Sequence, residues 1–282
     1  MRCLPSTNLE PSMNEISDPS EPMVALSVVI PVYNEMRTIG RVLLAVASAL
    51  TEVSKEIVIV DDCSNDGTSK WLMRNLGHAD GVWCGLSLNS SGDLQLSPAG
   101  PHDEAGFSFL VIFHERNRGK GAAVRTGLAR ASGDIIVIQD ADLEYDPHDW
   151  SRMFPLIADR KVADVVYGSR FYGCPHRSLY FHHYLGNRFI SFLFNILYDQ
   201  MLSDIEVCYK MFTRDVLRDL TLTSNGFGFE VEISAQIARA RRWRIYEVGI
   251  SYYGRTYNEG KKINWRDGIK AVVYLFKYRI SS

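Results

Sequence analysis

Asp140-Ala141-Asp142 leaves an apolar run, Ile135-Ile136-Val137-Ile138. Two carboxylates one residue apart, where a buried strand meets water, repel each other. A cation offsets that repulsion, and Mg²⁺ or Mn²⁺ held through one or two carboxylates plus substrate phosphates is the common arrangement. The stretch therefore suggests a diphosphate-containing substrate held through a divalent metal. Taken alone, it also fits a loop carrying two solvated acids. Glu144 places a third acid at the next alternate position, able to share one metal edge.

Other polar groups recur where apolar runs end. Pro31-Val32-Tyr33-Asn34-Glu35 closes one run. Pro31 stops the hydrogen-bond ladder, Tyr33 offers a stacking face for a base, and Asn34 and Glu35 offer hydrogen bonds. Asp61-Asp62 closes a second run, where an acid can accept from a nucleobase N–H or ribose hydroxyls; a turn and helix cap is the plainer use. Gly119-Lys120-Gly121 opens a helix, whose N-terminus favours anions, and Lys120 adds a mobile charge for a phosphate. It is not a dinucleotide G-x-G-x-x-G: Val124 stands at the sixth position, and Glu115 to Arg118 separate it from its strand.

The elements that must position these groups follow from periodicity. Leu26–Ile30, Glu56–Val60, Phe109–Phe113 and Ile135–Ile138 read as buried strands, and Val162–Tyr167 as a fifth. Thr38–Leu50 and Lys120–Ala131 carry helical spacing, and Ser64–Thr68 reads as a turn and helix cap. Strand alternating with helix predicts an α/β fold, a mostly parallel sheet flanked by helices. Such sheets bind ligands at the carboxyl ends of their strands, where the marked acids and amides fall. Gly77 to Gly106, rich in Gly, Ser, Asn and Pro, reads as a long surface loop. Beyond Arg170, Tyr180–Leu202 is aromatic and apolar with polar breaks. Phe227–Arg242 reads as an amphipathic helix, Arg244–Val248 as a strand and Trp265–Ile280 as a terminal helix.

The bulk numbers narrow the classes. The chain has 282 residues, ample for a core, and a net charge of −2, which gives no field for nucleic acid. Five cysteines without a C-x-x-C pair argue against a zinc ribbon or a disulfide framework and fit reduced cytosol. No apolar run approaches the roughly 18–20 residues of a membrane span. Residues 1–24 lack apolar periodicity and read as a disordered tail, with one domain over 25–282.

In order and spacing, P-V-Y-N-E, V-D-D-x-S-x-D-G-T, N-x-G-K-G-A-A and D-A-D-L-E resemble the family 2 glycosyltransferases with a GT-A fold. Gly168-Ser-Arg-Phe171, Ser203-Asp-Ile-Glu206 with Cys208-Tyr-Lys-Met-Phe212, Gly228-Phe-Glu-Val-Glu-Ile233, Glu247-Val-x-Ile, Arg255 and Glu259-Gly-Lys-Lys-Ile263 resemble the polyprenyl-phosphate sugar transferases, the dolichyl-phosphate mannose and glucose synthases and their bacterial relatives. The resemblance covers about Leu26 onward, except residues 80–106. It implies a nucleotide-binding half over about 25–170 and an acceptor half over about 171–282. Pro31, Tyr33, Asn34, Glu35, Val60, Asp62 and Ala141 would bind the nucleotide sugar. Asp140, Asp142 and Glu144 would hold Mg²⁺ or Mn²⁺, and Lys120, Arg170, Arg255 and Lys261 would gather phosphates.

The implied reaction is inverting transfer of a hexose from a GDP-mannose or UDP-glucose type donor to a polyprenyl phosphate. Asp142, Arg170 and Asp204 are the expected catalytic residues. A phosphate monoester has a second pKa of roughly 6 and attacks without a base. A hydroxyl acceptor, the alternative, needs a carboxylate to take its proton, with Asp204 or Glu206 as candidates. Tyr180–Leu202 could lie in a membrane interface or simply cover the sheet. These features predict peripheral attachment to the cytoplasmic face of a membrane, directly or through a partner. His182 and His183 are adjacent and face different ways on a helix, which does not suit a metal. Arg239-x-x-Arg242-Trp243 resembles a signature of processive polysaccharide synthases and serves here as a cationic helix end.

Overall fold

A run of seven buried residues, Leu26–Val32 (β1), forms the centre of a nine-stranded sheet. In the computed structural model, residues 26–76, 83–88, 94–98, 107–178, 180–226, 228–256 and 265–280 are described. The expected tail over 1–24 and Lys261 lie outside them. β1 is followed by α1 (Ile39–Ser48), β2 (Lys55–Asp61) and α2 (Thr68–Leu76) in chain order. α1 buries Ile39, Val42, Leu43, Val46 and Ala47, the i, i+3, i+4, i+7 stripe that an amphipathic helix requires. Asp66 accepts from the Thr68 amide at 3.0 Å and starts α2. Lys55 is buried, and its ammonium donates to the carbonyls of Ala49 and Leu50, each at 2.8 Å, just beyond α1.

The segment expected to be a surface loop contains two strands. β3 (Trp83–Leu88) and β4 (Leu94–Pro98) form an antiparallel hairpin, and β3 pairs antiparallel with β5 (Phe107–Phe113). The Gly- and Ser-rich composition masks two short strands that extend an existing sheet edge. β5 pairs parallel with β2, and β2 with β1. α3 (Lys120–Leu128) returns across the sheet to β6 (Ile135–Ile138), which pairs parallel with the other edge of β1. Gly127 on α3 allows close approach: a Cβ there would sit 2.5 Å from Val29 Cγ1.

The next elements are α4 (Trp150–Ile157), β7 (Val165–Ser169), α5 (Phe181–Tyr198), β8 (Lys210–Thr213), α6 (Arg214–Asp219), α7 (Phe229–Ala240), β9 (Ile245–Gly249) and α8 (Trp265–Ile280). β8 runs antiparallel between β6 and β7, and β9 pairs parallel with β7. The four strands β5-β2-β1-β6 are the parallel heart of the sheet. Val28, Val29, Ile30, Ile57, Ile59 and Ile136 are fully buried there, each contributing about 1.5–3 kcal/mol.

Because the chain runs from β1 to β2 on one side and later crosses from β5 to β6 on the other, a crevice opens at the carboxyl ends of β1, β2 and β6. α5 and α8 pack on each other beyond that crevice, and α7 supports α8. Among the described residues, no helix is long and apolar enough to cross a membrane.

Candidate active site

A cavity of about 1180 Å³ opens at that crevice. One end is lined by the strand exits: Pro31, Tyr33, Glu35, Asp62, Asp140, Ala141 and Asp142. The other is walled by α5 and α8, including Phe181, Tyr184, Phe189, Ile269 and Tyr274. Arg170, Glu206 and Glu230 line the stretch between.

Arg255 organises the acidic end. Its Nη2 lies 2.7 Å from Asp142 Oδ2, its Nε 3.1 Å from Glu144 Oε1 and its Nη1 3.4 Å from Glu35 Oε2. Its backbone N–H also donates to Glu144 at 3.0 Å. The Asp140–Asp142 turn is pinned to the start of α1, since Thr38 Oγ1 lies 2.7 Å from the Ala141 carbonyl oxygen. Leu143 follows with φ 61°, the left-handed conformation that lets the chain double back.

A second chain of charges enters from below. Lys120 Nζ is 2.7 Å from Asp140 Oδ1 and 3.4 Å from Glu230 Oε1. Glu230 on α7 also pairs with the fully buried Lys210 at 2.5 Å. Burial opposes the charge on Lys120, yet Asp140 and Glu230 hold its ammonium well above the usual range. In the sequence Glu230 alternates with apolar residues in Phe229-Glu-Val-Glu-Ile233, and nothing there marks its place in this relay.

Glu35, Asp140, Asp142, Glu144 and Glu230 thus face Lys120, Lys210 and Arg255 in one connected network, five carboxylates against three cations. The excess shows at Asp142. Burial, and then the charges of Asp140 and Glu144, push its carboxyl up to about 7 despite Arg255. Oxygen donors with uncompensated negative charge suit a hard divalent cation. Asp140 and Asp142 therefore fit a site of the kind that Mg²⁺ or Mn²⁺ occupies with one or two carboxylates and substrate phosphates. Glu144, expected as a third ligand, has both its oxygens engaged, and it shares Arg255 with Asp142. Its Oε2 accepts from the Tyr252 hydroxyl at 2.9 Å and its Oε1 from Arg255. Among the described residues, no three acids, histidines or cysteines converge as a ligand set.

Three further expected residues sit elsewhere. Asn34, at φ 56°, does not line the cavity; its Oδ1 accepts from the Asn65 amide at 2.8 Å and locks two loops together. Val60 is fully buried against Ala123 in the sheet. Asp204 is wholly buried, and Arg170 grips both its oxygens, Nε at 2.6 Å and Nη2 at 2.7 Å. Glu247 in turn accepts from the Ser203 amide at 2.9 Å and fixes this turn. Asp62 does face the cavity, but its carboxylate accepts from the Arg118 and Gly119 amides at 2.9 and 2.7 Å and lies 2.6 Å from His114 Nδ1. It shapes the loop that starts α3.

The sequence matches the model of glycosyl transferase family 2 over residues 27–76 and 93–221. The chain belongs to that family. This glycosyltransferase carries part of the β3–β4 hairpin as an interruption of the family pattern. It is 27% identical over 259 residues to the glycosyltransferase AglJ of Haloferax volcanii, spanning 90% of this chain and 71% of that protein. It is 27% identical over 266 residues to the dolichyl-phosphate beta-glucosyltransferase of Saccharomyces cerevisiae, spanning 86% and 70%. A glucosyl-3-phosphoglycerate synthase from Mycobacterium tuberculosis, solved with Mn²⁺, UDP and phosphoglyceric acid, superposes with a TM-score of 0.62 at 18% identity, covering 92% of this chain and 80% of that one. That likeness establishes the GT-A fold of this glycosyltransferase.

Proposed function

We propose that this glycosyltransferase moves a hexose from a nucleotide sugar of the GDP-mannose or UDP-glucose type to a polyprenyl phosphate, with inversion at the anomeric carbon. The observation that carries the reading is the continuity of the cavity. The same 1180 Å³ space touches the acidic strand exits and the apolar walls of α5 and α8. A polar donor and a lipid-borne acceptor need such a two-ended site. The yeast relative, named for a dolichyl-phosphate substrate, supports the acceptor class.

On this reading Pro31, Tyr33 and Glu35 cradle the nucleoside between the end of β1 and the start of α1. Asp140 and Asp142 would hold a divalent metal, which would stabilise negative charge on the departing diphosphate. Lys120 and Arg255 fix those carboxylates and add positive potential at the same edge. Arg170, immobilised by Asp204, presents its charge to the acceptor phosphate on the 171–282 side. The phosphate oxygen attacks the face of the sugar opposite the diphosphate, and its own charge removes the need for a strong base. Asp204 does not serve as a base, because both its oxygens are occupied and it is sealed from the cavity.

The outer faces of α5 and α8 support contact with a membrane surface. Leu185, Phe192 and Ile196 share one side of α5, outside the cavity lining, and are 57–63% exposed. Val273, Phe276 and Ile280 share one side of α8, also outside the cavity lining, and are 46–80% exposed. Apolar helix faces of this kind sit at the headgroup boundary, which is where a polyprenyl phosphate is presented.

The test is identification of the product. Incubation with each donor, polyprenyl phosphate and Mg²⁺ or Mn²⁺ yields a hexosyl phosphodiester detectable by mass spectrometry with one donor. A product found only on a glycan or small-molecule hydroxyl overturns the acceptor assignment.

A further inference from the structure

Glu206 stands apart from every other acid on the cavity wall. Asp140 has Lys120, Asp142 and Glu144 share Arg255, and Glu230 has two lysines. Glu35 reaches Arg255, and Asp62 is held by His114 and two amides. Glu206 lines the same cavity with no hydrogen bond or ion pair among the described residues. It sits two residues after Asp204 and four before Lys210, on the turn that enters β8. The charged groups acting on it are Arg170 and Lys210, which favour ionisation, and Asp204 and Glu230, which oppose it. Burial outweighs these and pushes its carboxyl up to about 7. A half-buried carboxyl without a cation is cheaper to keep neutral than charged, and a neutral carboxyl donates a hydrogen bond.

We propose that Glu206 and the acceptor's phosphate share a single proton in the bound complex, making Glu206 a specificity-determining residue for a phosphate monoester; this rests on the polyprenyl-phosphate reading above. A phosphate monoester binds its second proton with a pKa of roughly 6, close to that of this carboxyl. Whichever partner brings the proton, it comes to rest on Glu206, and the phosphate is the dianion. A phosphate oxygen then forms the bond to the anomeric carbon. The bond from that carbon to the nucleoside diphosphate breaks, and its electron pair leaves with the diphosphate. The proton stays on Glu206. The product phosphodiester carries one charge fewer than the dianion and accepts more weakly from the Glu206 carboxyl, which favours product release. A sugar hydroxyl makes no such match, because its proton must be removed by a carboxylate that starts ionised.

The experiment is the pH dependence of kcat/KM for polyprenyl phosphate in detergent, for the full wild-type chain, Glu206→Gln and Glu206→Ala. Donor hydrolysis and donor binding are measured alongside. In the wild type, kcat/KM falls tenfold per pH unit above about 7, because Glu206 must regain its proton to bind the dianion. Glu206→Gln carries a permanent N–H donor. It loses that alkaline limb and stays within about threefold of its neutral-pH value up to about pH 9. Glu206→Ala also lacks the limb, and its KM rises about tenfold or more with a smaller change in kcat. A Glu206→Gln profile that retains the wild-type alkaline limb overturns the proposal while leaving the transferase reading intact. So does a folded, donor-binding Glu206→Gln that is inactive at every pH, which makes Glu206 a base. If the wild type forms no lipid product while still hydrolysing donor, the acceptor reading itself fails and this proposal falls with it.

Discussion

Arg255 Nη2 lies 2.7 Å from Asp142 Oδ2. These residues are separated by 113 positions in the chain, yet the contact joins the exit of β6 to the segment that follows β9. Through the same guanidinium, Glu35 and Glu144 are drawn to one point. The acidic end of the cavity is therefore closed by a residue from the segment after β9. Arg255→Ala leaves three carboxylates facing each other without their cation. We expect donor binding to weaken by about tenfold or more. Calorimetric titration with the nucleoside diphosphate and Mn²⁺ checks this, and unchanged affinity contradicts it.

Asp142 itself is the most exacting position on this rim. On the proposed reading Asp142→Ala removes one of the two carboxylates that would hold the metal, and transfer falls by about 10²–10³-fold at saturating metal. The fold is retained, since Arg255 keeps Glu144 and Glu35 as partners. Transfer rate and circular dichroism, measured together, check both halves of the expectation.

Asp204→Asn separates a structural acid from a base. The substitution leaves Arg170, with its side chain 13% exposed, beside a neutral partner. Breaking such a buried pair costs about 3–5 kcal/mol. The expected result is a marked fall in the urea midpoint of unfolding. Unchanged stability with lost turnover would restore Asp204 as a base.

Phe192 and Ile196 lie on the outer face of α5, 59% and 63% exposed, and neither lines the cavity. Replacing both with Glu changes folding stability by about 0.5 kcal/mol or less, because neither fills the core. Co-sedimentation with anionic lipid vesicles falls, while transfer to a short-chain acceptor in detergent is retained. Loss of both, or of neither, contradicts the assignment of this face to a membrane surface.

Lys55 gives a pH signature for the fold alone. Burial lowers its ammonium from 10.5 to about 8, against the charge of Glu52. Between those values the unfolded chain binds more protons than the folded one, so this group's contribution to stability rises with pH. Below about 8 both states are charged and the full penalty of burial applies. Lys55→Met removes that rising component. Parallel denaturation curves across this window, for wild type and variant, check it; identical slopes contradict it.

Much of this arrangement is legible in the amino-acid sequence. β1, β2, β5 and β6 announce themselves as β-branched apolar runs, and α8 as a periodic stretch with the bounds it adopts, because burial dictates residue type strongly there. The strand exits follow, and with them Pro31, Tyr33, Glu35 and the Asp140–Asp142 turn. The β3–β4 hairpin is hidden because short strands among Gly and Ser gain their order from the edge of β5. The reversed direction of β8 is hidden because four residues carry no sense of direction. Side-chain partners are hardest. Periodicity places Asp204 and Glu206 on one turn, but not that Arg170 folds over the first and leaves the second facing the cavity. Likewise, alternation puts Glu144 beside the two aspartates, but not that Arg255 and Tyr252 bond its oxygens.

The central claim is that one cavity joins a nucleotide-sugar site on Asp142 to a lipid-phosphate site. Radiolabelled donor, polyprenyl phosphate and Mg²⁺, followed by solvent partition, tests it most directly. The account predicts label in the organic phase with the wild type and about 10²–10³-fold less with Asp142→Ala. Label confined to water-soluble glycan, with polyprenyl phosphate left unmodified, would contradict it.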